Sequence, residues 1–222
     1  MEQKMDYKQA RFNMVEQQVR PWDVLDFDVL DALEAIPREE FVTPEQRGYA
    51  YADVPLKLLN GSYMLEPKIV ARLAQGLKLK KTDKVLEVGT GSGYATAVLA
   101  MLANHILTLD TDTQQQQFAH IVLNRLNFLN ISYQVGDGLQ LETDEVFDAI
   151  YIGGSLPIVP EYLLSKLNPN GGRMVVIVGN APVQRALQIT RNGDNYSEKV
   201  LFDTLVTGLH AKTAPKAKGF VF

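Results

Sequence analysis

Residues 85–94 read Val85-Leu86-Glu87-Val88-Gly89-Thr90-Gly91-Ser92-Gly93-Tyr94, and this stretch decides the fold. A short apolar run ends in glycines at alternate positions, and the Ala-rich Ala95-Thr96-Ala97-Val98-Leu99-Ala100 comes next. The pattern specifies a buried strand, a glycine turn and a helix. One glycine permits the tight turn off the strand, one lets a ligand approach the backbone, and one lets the helix pack close to the sheet. Glu87 stands at the carboxyl end of an otherwise apolar strand, where a carboxylate is expensive unless something polar meets it.

Outward from this motif, short β-rich runs alternate with helical segments. Strands are expected over residues 84–88, 105–109, 131–135, 147–152 and 173–178, with helices over 94–103, 113–128 and 157–167. This alternation specifies βαβ units and a doubly wound, mostly parallel α/β sheet with helices on both faces. Near the end, residues 184–190 and 196–203 flank Asn192-Gly193, a type I′ hairpin pair, so the sheet finishes in antiparallel strands. Before residue 80 the texture is helical and irregular. Residues 6–20 form a helix that Pro21 stops, Asp26 caps a second helix reaching Ala35, and Pro67 opens a third with Ile69, Val70, Leu73 and Leu77 on one stripe. Residues 49–67 hold too many turn formers to be one regular element.

The glycine spacing selects the cofactor. A dinucleotide loop reads G-x-G-x-x-G, which would put its third glycine at 94, where this chain has Tyr94. A pyrophosphate wants exposed amides at a helix amino terminus and no adjacent carboxylate. A sulfonium amino acid instead brings an ammonium group that a carboxylate helps hold. The cofactor implied is S-adenosylmethionine, leaving as S-adenosylhomocysteine, rather than NAD. Glu87, Gly89, Thr90, Gly91 and Gly93 form its loop. Asp110 ends the second strand, 17 residues after Gly93, where an acid accepts hydrogen bonds from a ribose diol. Asp137, beside Gly138 at the end of the third strand, is set against an adenine amino group. Either aspartate alone also suits a helix cap or turn. Three acids after three consecutive strands, all at the carboxyl edge, make the stronger pattern.

Composition excludes other classes. The chain has 222 residues, 46% hydrophobic and 22% charged, with no Cys, which suits one soluble domain and rules out thiol catalysis, zinc ribbons and disulfide scaffolds. Lys plus Arg is 22 against 26 for Asp plus Glu, a net charge of -4 that gives no attraction to phosphate backbones or anionic membranes. Apolar stretches such as 95–103 are far shorter than the roughly 20 residues of a membrane span, and MEQKMDYKQARF has no signal core. The expectation is a cytoplasmic protein, monomer or homodimer, with no metal, nucleic acid or membrane partner.

With these features in view, the chain resembles the protein-L-isoaspartate O-methyltransferases, within the S-adenosylmethionine-dependent methyltransferases. The resemblance rests on Ala50-Tyr51-Ala52-Asp53 with a loop running from Gly61 to Pro67, on VLEVGTGSGYATAVLA at 85–100, on Gly136-Asp137-Gly138, on Phe147-Asp148-Ala149-Ile150 and on Leu167-Asn168-Pro169-Asn170-Gly171-Gly172-Arg173. It implies a Rossmann-like methyltransferase domain over 1–222, with a helical cap and substrate loop over 1–80 and a cofactor-binding core over 81–222. It further implies methyl transfer to a carboxylate of damaged protein, with Tyr63, Met64 and Leu65 lining the transfer site. The family reads G-Q-T-I-S-Q-P where this chain has Gly61-Ser62-Tyr63-Met64-Leu65-Glu66-Pro67, so Leu65 stands at the serine position. Leucine cannot donate a hydrogen bond, and an inward Glu66 would repel an anionic acceptor. The family's carboxyl-terminal R-F-V-P-L-like run is Thr204-Leu205-Val206-Thr207-Gly208-Leu209 here. Two further readings stay open: transfer to a small molecule or another side chain, and a non-catalytic S-adenosylmethionine-binding module.

Methyl transfer from a sulfonium is an in-line displacement, so the protein must align the reactants and exclude water. A carboxylate acceptor arrives ionised and needs no general base. For a phenol or amine acceptor the candidate bases are Glu66, Tyr63 and His210. His105 and His120 are read as structural or exposed, Trp22 as a core anchor or packing lid, and residues 114–117 as a solvated helix face. Lys212, Lys216 and Lys218 make the tail locally basic before an apolar Phe220-Val221-Phe222.

Overall fold

A computed structural model describes residues 6–209; His210, the tail lysines and Phe220-Val221-Phe222 lie outside the described residues. The strands are β1 (Leu56–Lys57), β2 (Tyr63–Met64), β3 (Lys84–Val88), β4 (His105–Asp110), β5 (Ile131–Val135), β6 (Ala149–Leu156), β7 (Asn170–Asn180), β8 (Val183–Asn192) and β9 (Asn195–Thr204). The α-helices are α1 (Tyr7–Met14), α2 (Phe27–Ala35), α3 (Pro67–Leu77), α4 (Tyr94–Leu102), α5 (Thr113–Arg125) and α6 (Glu161–Leu164).

Seven strands form one sheet in the order β5-β4-β3-β6-β7-β8-β9. From β5 to β7 neighbours run parallel, while β8 and β9 are antiparallel, as the sequence predicts. The chain builds outward from β3 through β4 and β5, then returns to lay β6 on the other side of β3. That reversal is the switch point at which doubly wound sheets bind ligands. The helix-rich face carries α3, α4, α5 and the amino-terminal helices around Val85, Tyr151 and Val175, whereas the other face packs Leu86, Ile150 and Met174 under Leu139, Leu163 and Leu167.

Local chemistry explains most boundaries. Asp26 caps α2, its carboxylate accepting from the Val29 amide at 3.3 Å. The expected helix over 6–20 is α-helical only to Met14, then passes through a π turn over Val15–Val19 and a 3₁₀ turn over Arg20–Trp22 that holds Pro21. The expected helix over 157–167 shrinks to α6, because Pro160 lacks an N–H and biases the residue before it away from helix. The strand expected over 147–152 starts later and runs to Leu156: Asp148 is diverted, its carboxylate accepting from the Lys84 amide at 2.9 Å and from Asn168 Nδ2 at 2.8 Å. The final hairpin turns one residue later than the sequence suggests. Asn192 pairs with Asn195, and Gly193 has a φ of 63° while Asp194 has none in the positive region, so the turn is not type I′.

Candidate functional site

A cleft of about 520 Å³, counting its open mouth, lies over the carboxyl ends of β3, β4, β5 and β6. Its floor is largely backbone, supplied by Gly89, Gly91, Gly136, Gly138 and Gly153. Side chains would spoil four of these five positions, Gly136 being the exception. A Cβ at Gly153 would stand 2.5 Å from the Gly89 carbonyl oxygen, and Gly89 has a φ of 92° that disfavours other residues. One wall is the β1–β2 hairpin, through Leu58, Asn60, Ser62 and Tyr63. The other is the chain after β9, Thr207 to Leu209, held to β6 by hydrogen bonds from the Ser155 amide to the Thr207 carbonyl (3.2 Å) and from the Leu209 amide to the Ser155 carbonyl (2.8 Å).

The charged residues lining the cleft are Asp110 and Asp137, and no Lys or Arg lines it among the described residues. Asp110 is buried at the end of β4. Its Oδ2 accepts from the Gly91 amide and its Oδ1 from the Asp112 amide, each at 2.9 Å, so the same carboxylate shapes the glycine loop and faces the cleft. Asp137 accepts from the Leu139 amide at 3.0 Å, which fixes the turn after β5. Thus Gly89, Gly91, Asp110, Asp137, Gly138 and Tyr63 come together around one cleft.

Glu87, Thr90 and Gly93 stand behind it instead. Strand alternation turns Glu87 toward the helix-rich face, in register with Thr108 and Tyr151, and it is fully buried. Its Oε2 accepts from Thr96 Oγ1 and Thr108 Oγ1, both at 2.6 Å, and Thr90 Oγ1 lies 2.7 Å from Thr108 Oγ1. Thr108 has one hydroxyl proton and gives it to Glu87, so Thr90 must donate to Thr108. Oε1 has no hydrogen-bond partner among the described residues. Burial pushes the Glu87 carboxyl up to about 8, against the two threonine hydroxyls, which lower it. Gly93, with a φ of 87°, lets α4 pack on Ala119 and Leu123 of α5.

The two residues after Tyr63 also leave the cleft. Met64 lines a smaller cavity with Phe41, Val42 and Phe118, and the Leu65 side chain is buried in the core. Trp22 is neither a core anchor nor a lid: it is 40% exposed, with the Lys68 ammonium 4.3 Å from its ring centroid. Lys68 in turn pairs with Asp53 at 2.5 Å.

Gln115 is a site residue that the sequence concealed. Gln115 and Gln116 are buried, contrary to a solvated face. Gln115 Nε2 donates to the Gly91 carbonyl at 2.8 Å while its Oε1 accepts from the Leu59 amide at 3.0 Å, tying the glycine loop to the hairpin wall. A polar run offered no cue; two buried glutamines beside a strand end show only once the partners are known.

The profile of the protein-L-isoaspartate(D-aspartate) O-methyltransferase (PCMT) family matches residues 11–210. This chain belongs to that family. It is 40% identical over 190 residues to the protein-L-isoaspartate O-methyltransferase of Vibrio parahaemolyticus, covering 83% of this chain and 90% of that one. The Bradyrhizobium sp. (strain ORS 278) protein of the same name is 38% identical over 181 residues, covering 81% and 84%. Among solved structures, a protein-L-isoaspartate O-methyltransferase superposes with a TM-score of 0.78 at 23% identity, over 92% of this chain and 67% of that one. A Plasmodium falciparum protein described as a beta-aspartate methyltransferase, in complex with S-adenosyl-L-homocysteine, gives 0.75 at 22% identity, over 93% and 99%. At these identities the structural likeness concerns the fold. Leu65, the position that the resemblance set against a serine, has its side chain in the hydrophobic core rather than in the cleft.

Proposed function

We propose that this chain is an S-adenosylmethionine-dependent methyltransferase that esterifies the free carboxylate of isoaspartyl residues in proteins. The observation that carries the reading is the cleft at the β3/β6 switch point, floored by glycine backbone and, among the described residues, lined by two acids and no cation, in a chain of this family. Such a site suits a positively charged nucleoside ligand and opposes a pyrophosphate.

The residues present fit the cofactor. A carboxylate has about four acceptor positions, so Asp110 can serve the loop amides and a ribose hydroxyl together. Gly89, Gly91 and Gly138 allow close backbone approach, and Asp137 is the residue that would hold the adenine end. Glu87 and Thr90 act from behind by fixing the loop. When bound, the cofactor supplies an electrophilic methyl group on a sulfonium. The chain's own part is positional: Tyr63 and Ser62 wall the acceptor side, Leu209 closes over Gly89, and water is kept from the line of attack. No His or Lys lines the cleft among the described residues, which accords with an acceptor that is already ionised.

We read 1–222 as one methyltransferase domain, with 1–80 capping an 81–222 core, working in the cytoplasm on protein or peptide acceptors. Leu65 favours a second reading, in which the scaffold serves another acceptor. Labelled methyl transfer followed by mild base separates them, because a carboxyl methyl ester releases methanol while a methylated amine or phenol does not. Base-labile label supports the ester, and base-stable label removes it.

A further inference from the structure

Arg38 is completely buried, in the 3₁₀ turn Arg38–Phe41. A guanidinium keeps its charge at any ordinary pH, and burying one is a poor route to stability, since well-packed apolar replacements of buried ions are often neutral or better. Its bonds indicate another use. Nε donates to the Ala50 carbonyl at 2.9 Å and Nη2 to the Leu65 carbonyl at 3.0 Å. Cζ lies 4.4 Å from the ring centroid of Tyr94, the first residue of α4 after the glycine loop. Next to it, Glu39 accepts from the Tyr51 hydroxyl. Consecutive side chains 38 and 39 therefore hold consecutive residues 50 and 51. Ala50 and Leu65 bound the segment that carries the β1–β2 hairpin and Tyr63, while Arg38 itself does not line the cleft.

We propose that Arg38 is a positioning residue for the acceptor side of the reaction: its planar fork fixes both ends of the 50–65 segment against α4 and so sets the hairpin wall over the glycine shelf. The proposal rests on reading that segment as the acceptor wall. No apolar residue could do this, because two carbonyls fifteen positions apart need two donors in one plane. Lysine, with a single point-like head, could satisfy one carbonyl well but not reproduce the fork.

The test compares full-length wild type with Arg38→Lys and Arg38→Met in three readouts: KM for an isoaspartyl peptide, calorimetric affinity for S-adenosylhomocysteine, and amide exchange. Losing hydrogen bonds to a charged donor should raise the acceptor KM by about 10- to 100-fold in Arg38→Met and less in Arg38→Lys. Cofactor affinity should fall far less than the acceptor KM rises, and exchange should quicken over 50–65 but not over β6 and β7. An acceptor KM and exchange unchanged from wild type would overturn the proposal, and so would cofactor affinity falling in step with acceptor KM, which marks a general scaffold residue. If Arg38→Met does not fold, Arg38→Lys carries the same comparison. If wild type itself ignores the isoaspartyl peptide, the acceptor reading fails separately, and exchange over 50–65 still decides whether Arg38 clamps that segment.

Discussion

Gln115 and Gly91 are joined by a hydrogen bond from the glutamine Nε2 to the glycine carbonyl, 2.8 Å long, at the point where the glycine loop meets α5. The same side chain accepts from Leu59 in the hairpin wall. Replacing Gln115 with Met keeps the volume but leaves the Gly91 carbonyl and the Leu59 amide, both in part-buried hydrogen bonds, without this partner. The expected cost is about 1–3 kcal/mol of stability, seen as a lower denaturant midpoint at unchanged slope, together with weaker cofactor binding. A midpoint equal to wild type would show that the bridge contributes nothing.

Asp110 acts twice, on the loop through the Gly91 amide and on the cleft. Asp110→Ala should weaken S-adenosylhomocysteine binding by about 1–3 kcal/mol, the usual result of leaving polar groups unpaired. Calorimetry reads this directly, and an unchanged affinity would sink the assignment.

Glu87 makes stability depend on pH. Its folded value of about 8 lies above the unfolded one, so between the two the native state binds more protons than the unfolded state. Stability therefore falls as pH rises through that window and levels off above it. Glu87→Gln removes the term: relative to wild type it should gain roughly 2–4 kcal/mol between pH 5 and pH 8. Denaturant unfolding of both proteins at the two pH values checks it, and a constant difference would contradict the buried, proton-holding carboxyl.

The glycines of the floor should not respond alike. Gly136 has open space where a Cβ would point, whereas at Gly153 the same atom would meet backbone. Gly136→Ala should leave stability within about 0.5 kcal/mol, and Gly153→Ala should lose upward of about 2 kcal/mol, since a carbonyl oxygen cannot step aside as a side chain can. Thermal unfolding of the two variants separates them.

The sheet was legible because its signals are local and periodic: the Lys84–Val88 run and the glycine loop announce their geometry, and Asn192-Gly193 announces a hairpin though not its exact turn. So were Asp110 and Asp137, because a residue at the carboxyl end of a parallel strand is delivered to the cleft. Glu87, an acid next to a ligand loop, was expected at the ligand, and alternation along β3 turns its side chain to the helix-rich face, toward Thr96. Leu65 was assigned by position in a motif, but its side chain joins the core while its carbonyl serves Arg38. Gln115 and Arg38 were invisible for a common reason: their partners are backbone groups 24 to 56 residues away and 12 to 27 residues away, and backbone partners leave no mark in a sequence.

The central claim is transfer to an isoaspartyl carboxylate, and it is tested most directly by measuring labelled methyl transfer to an isoaspartyl peptide beside the same peptide with normal aspartate. Transfer to the isoaspartyl peptide with none to its aspartyl twin is the predicted result. Tight S-adenosylhomocysteine binding with no transfer to either peptide would contradict the acceptor assignment.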